Sequence, residues 1–287
     1  MVIVITGIIS AVVAVFIRSG VDTYFDSVRR AEMTDIADTA LRRMGRDLRL
    51  AVPNTARTTT TVVGATTTVY LEILLSKAGG RYDPTAAKCF TSGCTSITTQ
   101  GSVVETIAGA PVVPAGPSGS RYGIATIVGG TDRIVIYNQY NNSAPPCAAG
   151  SPSAYCGDNT SLVSSVSDSG GTDTINFANQ TFVPANGSPT RRFQIIDSPV
   201  TYACSFTAGN PLAGTLIRFG GYAIVGAQPT PPVGGVANLL ATNVSNCNFT
   251  YTQGVFERWG VVSLLLEITE NNETVSLYHE AHLNNTP

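Results

Sequence analysis

The chain has 287 residues and carries 17 Lys and Arg against 19 Asp and Glu, a formal charge of −2, which argues against bulk electrostatic binding of nucleic acid. Charged residues make up only 13%, well under the roughly 25% usual for soluble domains, and Gly, Pro, Thr, Ser and Asn fill the gap. Low charge is a poor recipe for disorder, so the composition fits a turn-rich β protein working outside the cytoplasm, and no enzyme class follows from it.

Residues 1–17 read MVIVITGIISAVVAVFI, with no charge before Arg18. As a helix this stretch is about 25 Å long, slightly short of the ~30 Å hydrocarbon core of a bilayer. A cleaved secretory signal would need a basic region ahead of the apolar run. A buried core helix would not continue into a long charged one. Membrane insertion is therefore the expectation, with Val2, Ile3, Ile5, Gly7, Ile8, Ile9, Val12, Val13 and Phe16 as the membrane- or filament-facing positions.

From Val21 the apolar positions recur at Val21, Phe25, Val28, Ile36, Ala40 or Leu41, Met44 and Leu48, mostly three or four apart, which predicts an amphipathic helix. Arg29, Arg30, Arg42, Arg43, Arg46 and Arg49 alternate with Asp22, Asp26, Glu32, Asp35, Asp38 and Asp47, several at helical neighbour spacing. Pro53 restricts Val52 and ends the helix near Ala51. A continuous helix of about fifty residues is roughly 75 Å long, more than a domain of this size can bury. Its front half must lie in lipid or against other subunits, and its back half can pack on a domain.

After Pro53 the texture changes to Thr- and Val-rich runs, which favour strands. Val69, Leu71, Ile73 and Leu75 alternate with Tyr70, Glu72 and Leu74. Further strands are expected at 124–128, 133–140, 174–177, 193–196 and 200–206. Residues 215–219 and 222–225 flank Gly220-Gly221 and read as a hairpin; 261–269 and 274–283 flank Glu270-Asn271-Asn272 and read as a second one. Loops at 109–120 and 228–235 are too rich in Pro and Gly for helix. No repeat and no flexible linker is visible, so one helix carries one β-rich head.

Cys89, Cys94, Cys147, Cys156, Cys204 and Cys247 all lie beyond the apolar run, an even number that suits disulfides in an oxidising compartment. Neighbouring pairing gives Cys89–Cys94, Cys147–Cys156 and Cys204–Cys247, one of fifteen arrangements that six cysteines allow. Zinc is disfavoured because there is no C-x-x-C pair and no nearby His.

Chemistry is scarce. His279 and His282, the two histidines of the chain, sit in LYHEAHL. A zinc-protease motif needs two His four apart on a helix; three apart in a strand they point to opposite faces. No G-x-S-x-G elbow, P-loop or dinucleotide fingerprint occurs. Glu267, Glu270 and Glu257 beside Arg258 read as exposed charges, and loops at Asp158 and Asp168 lack a calcium ligand cluster. Seven Asn-x-Ser/Thr sequons, from Asn141 to Asn272, are weak support for an extracellular site. No catalytic residue, cofactor or metal is expected.

An apolar helix running unbroken into an Arg-rich amphipathic one, then a disulfide-pinned β head, resembles the type IV pilin-like subunits. The stretches VIVITGIISAVVAVFI (2–17), RRAEMTDIADTALRRMGRDLRLAVPN (29–54), RRFQIIDSPVTYAC (191–204) and LYHEAHLNNTP (277–287) are similar to the MshO family of minor pilins of MSHA-pilus biogenesis, and through it to the J-type pseudopilins of type II secretion. The resemblance implies an α+β, pilin-like fold, with a long N-terminal helix serving as transmembrane segment and filament spine, packed on a β-rich head. It divides the chain into 1–52 (1–17 membrane segment, 18–52 amphipathic) and a periplasmic head, 53–287. It implies a single-pass inner-membrane subunit that later enters a pilus, priming or capping it, without enzymatic activity. Its partners would be other minor and major pilins, an inner-membrane assembly platform and the lipid bilayer. A J-type pseudopilin or a membrane-tethered adhesin is the alternative reading. The family also has a basic leader, a Gly-Phe cleavage site and a glutamate just inside the mature chain. Here Met1 falls inside the apolar run, as a truncated or misplaced start would give, and prepilin peptidase is a partner only where that leader exists. Gly7 is the expected place for the helix to bend or melt on transfer to the filament.

Overall fold

The computed structural model describes residues 2–101, 127–141, 147, 152–168, 172–183, 187–253 and 259–285, with the side chains of 2, 3, 8, 10–12, 14–20, 22, 23 and 87 outside that description. The elements are helix α1 (Val2–Arg49), then β1 (Arg57–Val63), β2 (Thr66–Arg81), a 3-10 helix (Pro84–Phe90), β3 (Cys94–Thr98), β4 (Arg133–Ile136), β5 (Thr160–Asp168) and β6 (Asp173–Gln180). They continue with β7 (Arg192–Thr207), β8 (Asn210–Gly220), β9 (Val236–Thr242), β10 (Val244–Gln253), β11 (Trp259–Glu270) and β12 (Glu273–Asn284).

Two expectations are corrected at this level. Among the described residues 54% lie in strands and 18% in helix, so the fold is mostly β and not the α+β class expected from a pilin-like chain. One N-terminal helix is set against twelve strands, several of them in Ser-, Thr- and Asn-rich stretches whose alternation is too weak to read. Nor is any helix, among the described residues, long and apolar enough to cross a membrane. That overturns the expected single-pass inner-membrane location with a periplasmic head. The uncharged stretch was already short for a bilayer, and α1 is charged and amphipathic for most of its length.

The large sheet runs β1-β2-β7-β4-β5-β6-β3, with β8 also on β7 and β9 on β8. The sixteen residues of β7 make this branching work. Phe193–Ile196 pair with β4, while the later residues from Val200 pair with β8. A second, three-stranded sheet runs β10-β11-β12, closed by a tight turn at Asn271 and Asn272, both at positive φ, a backbone region that Asn tolerates well.

The main core lies between the sheets and α1. Met33, Ala37, Ala40, Leu41, Met44 and Leu48 of the helix meet Leu71 and Ile73 of β2, Tyr202 of β7 and Leu264 and Leu266 of β11. Val69, Leu71 and Ile73 face this core, whereas Leu74 faces a smaller one with Val135, Tyr155 and Ile196. A further apolar cluster around Phe90, Phe177, Phe182 and Phe193 fills the far half of the large sheet. Disulfides join Cys89 to Cys94, Cys147 to Cys156 and Cys204 to Cys247. The last links β7 to β10 and so ties the two sheets together.

Residues 193–196 and 200–206, expected as separate strands, are one strand. Residues 222–225, expected as the partner of 215–219, are not a strand; β8 pairs instead with β9. The carbonyls of Val225 and Gly226 are taken by the Arg57 guanidinium, and the Tyr222 hydroxyl bonds Thr201 Oγ1 at 2.6 Å. A segment held by a side chain cannot also run as a ladder. The expected strand at 124–128 and the loop at 109–120 lie wholly or largely outside the described residues.

Candidate functional site: the anchored and uncovered halves of the helix

The back half of α1 is fixed by its buried stripe and by polar anchors at both ends. Near Arg29 and Arg30 the helix crosses the tip of the β11–β12 hairpin. There Arg30 donates to Glu273 Oε1 from Nε at 3.2 Å and Nη2 at 3.1 Å, and Arg29, itself paired with Asp26, sits 3.7 Å from Oε2. The Arg30 hydrogen bond holds the Glu273 carboxyl below its ordinary value. At the other end Asp47 Oδ2 accepts from the Tyr202 hydroxyl at 2.7 Å and from Arg218 Nε at 2.9 Å. Burial and the adjacent Asp47 carboxylate push the Tyr202 hydroxyl well above the usual phenol range. Between them Gly45 admits His279, whose Nε2 would lie 2.7 Å from a Cβ built at that position.

The front half has no such cover. Ile5, Ile9 and Val13 are exposed, Ile9 by 57% and Val13 by 49%, as are Val4, Val21, Tyr24, Phe25 and Val28. Of the positions singled out in the sequence, Ile5, Gly7, Ile9 and Val13 therefore lie on an uncovered helix surface. Val2, Ile3, Ile8, Val12 and Phe16 belong to the same helix, and their side chains lie outside the described residues. Gly7 is helical, and a Cβ placed there would meet nothing within 4 Å. A run of exposed large apolar side chains along one element is the kind of surface that a partner covers.

The possible reactive groups are structural. His279 faces α1 and its Nε2 is buried without a hydrogen-bond partner; His282 is exposed on the opposite face of β12. Glu267 accepts from Ser276 Oγ at 3.4 Å, and Glu257 and Arg258 lie outside the described residues. Among the described residues no group of three or more His, Cys, Asp or Glu could hold a metal ion. Asn159, a sequon residue, is buried, and its Nδ2 donates to the carbonyls of Ile136, Tyr137 and Val183, which leaves it no room for a glycan.

Sequence reasoning missed Arg57. Fully buried, it pairs with Glu72 through Nη2 at 2.7 Å, with both side chains out of solvent, and its Cζ lies 3.6 Å from the Tyr155 ring centroid. Burial pushes the Glu72 carboxyl up, against the opposing pull of Arg57. The arrangement pins the segments around 155 and 225 onto the sheet and offers no open space to a substrate. An arginine at the head of a Thr-rich strand facing a lone acid across the hairpin was the one available signal, and it becomes visible only once the register Arg57 opposite Glu72 is known. No family model, curated protein or solved structure matches the chain.

Proposed function

We propose that the chain is a structural subunit of a pilus-type filament, a minor pilin of the MSHA type that primes or caps assembly. Its helix would pack against the helices of sibling minor and major pilins, and an assembly platform would deliver it. The observation that carries this reading is the division of α1 into an anchored half and an uncovered half that bears Ile5, Ile9, Val13, Val21, Tyr24, Phe25 and Val28 on its surface. Burying such side chains is favourable by about 1.5–3 kcal/mol each when complete, so the stripe is a strong drive to associate with another helix. A structural rather than catalytic role is supported by the charged pairs on the page, each of which braces one segment against another.

The test is to place a charge in the stripe, Ile9→Asp or Val13→Lys, and to score surface filaments by electron microscopy alongside the proteolytic resistance of the chain. Loss of filaments with an intact head supports the reading. Normal filaments in either variant count against it, and filament loss replaced by a block in protein export points to a secretion pseudopilin.

A further inference from the structure

The outward face of the anchored half of α1 carries two charge blocks. Glu32, Asp35 and Asp38 come first, then Arg43, Arg46 and Arg49. Spacing by three keeps each block on one stripe. Eleven residues separate each acid from its counterpart (32 and 43, 35 and 46, 38 and 49), and eleven residues are three turns plus about 20°. Both blocks therefore lie on the same face, opposite buried Met33, Ala37, Ala40, Met44 and Leu48. Glu32, Asp35, Arg43, Arg46 and Arg49 form no ion pair with another described residue. Asp38 is engaged by Arg42 of its own helix through Oδ2, which leaves its second oxygen outward.

We infer that this face is a docking surface for a second copy of the same chain, lying parallel and shifted along the axis by eleven residues, about 16.5 Å at 1.5 Å per residue. The acids of one copy then face the arginines of the next. This rests on the reading of α1 as a spine between subunits and adds to it a register. Exposed ion pairs contribute little affinity individually, but charge patterns along helices fix orientation and stagger. The same blocks also match in an antiparallel pair centred between residues 40 and 41. That arrangement sends the two apolar front halves off in opposite directions, whereas the parallel one lays them side by side and covers them. A shifted parallel contact joins two different patches, so it repeats without closing.

The register is measurable on the full chain. All six native cysteines are in disulfides, so Ala31→Cys and Thr39→Cys, both at exposed positions, can each carry a nitroxide for dipolar distance measurement in the self-assembled protein at low salt. A parallel shift gives the same neighbour spacing at both positions, about 19 Å between backbones when the shift is combined with a helix separation of roughly 9 Å. An antiparallel pair instead gives about 10 Å at residue 39 and about 30 Å at residue 31, and overturns the inference. So does a chain that stays monomeric. Reversing one block, Arg43→Glu with Arg46→Glu and Arg49→Glu, should abolish the common spacing, and reversing the acid block in the same chain should restore it. Spacings that ignore both changes also overturn it. Equal spacings in a chain whose deletion leaves filaments normal would uphold the register and dismiss the filament role; filament loss with unequal spacings would do the reverse.

Discussion

Asp47→Ala tests whether the end of the helix is held by a specific polar anchor or by apolar packing alone. Asp47 Oδ2 accepts from Tyr202 at 2.7 Å and Arg218 at 2.9 Å, and the Asp47 and Arg218 side chains are only 10% and 17% exposed. Hydrogen bonds to a charged group contribute about 1.5–3 kcal/mol each, and a stranded buried hydroxyl costs a further 1–3 kcal/mol. Against this, Ala is the better helix former by about 0.5 kcal/mol. Removing a negative charge from the last turn also helps by roughly 0.3–1 kcal/mol. The net expectation is a loss of about 2–4 kcal/mol. Urea unfolding of the full chain with its disulfides intact, followed by circular dichroism, reads this as a shift in midpoint at constant slope. Asp38→Ala is the internal control: its Arg42 pair is exposed on both sides, so its loss should cost no more than about 0.5 kcal/mol. An Asp47→Ala loss no larger than that of Asp38→Ala would falsify the anchor, and the helix end would then be held by Met44 and Leu48 alone.

Gly45→Ala should destabilise the native chain, because its Cβ would fall 2.7 Å from His279 Nε2. In a His279→Ala background the same change should stabilise by about 0.8–1 kcal/mol through helix propensity; a double-mutant cycle with no sign change refutes the contact. Removing the inter-sheet link with Cys204→Ala and Cys247→Ala, 43 residues apart, should cost about 4 kcal/mol by chain entropy, read from the same urea curves. Glu273 has a folded value depressed below 4.5 by Arg30, so its anchoring is fully present above that pH and is lost as pH falls through the depressed value. Hydrogen exchange of the helix around residues 26–34 should accelerate in that acid window and not between pH 5 and 8. A Glu273→Gln variant should lose the pH dependence.

The β-rich body, the disulfides and the C-terminal hairpin were legible because each leaves a local trace: branched residues in alternation, an even cysteine count, and an Asn-Asn turn between two periodic runs. The Val69–Leu75 alternation even assigned side chains to opposite faces of β2. The fold class was misjudged for a related reason. One strongly periodic helix dominates the reading, while β3, β5, β9 and β10 are written in Ser, Thr, Asn and Ala with little contrast between faces. Their burial comes from neighbours supplied elsewhere in the chain.

What the sequence determined by itself is the apolar front of α1, the stripe of Met33, Ala37, Ala40, Met44 and Leu48, and the charge blocks opposite it, since helical geometry follows from spacing alone. Only the tertiary structure decided where the cover of that helix stops. It also decided that Arg57 meets Glu72 in the interior, that Asp47 rather than its neighbours is the anchor, and that residues 222–225 leave the sheet. Each of these depends on groups far apart in sequence sharing one low-dielectric space, and no local pattern encodes who those partners are.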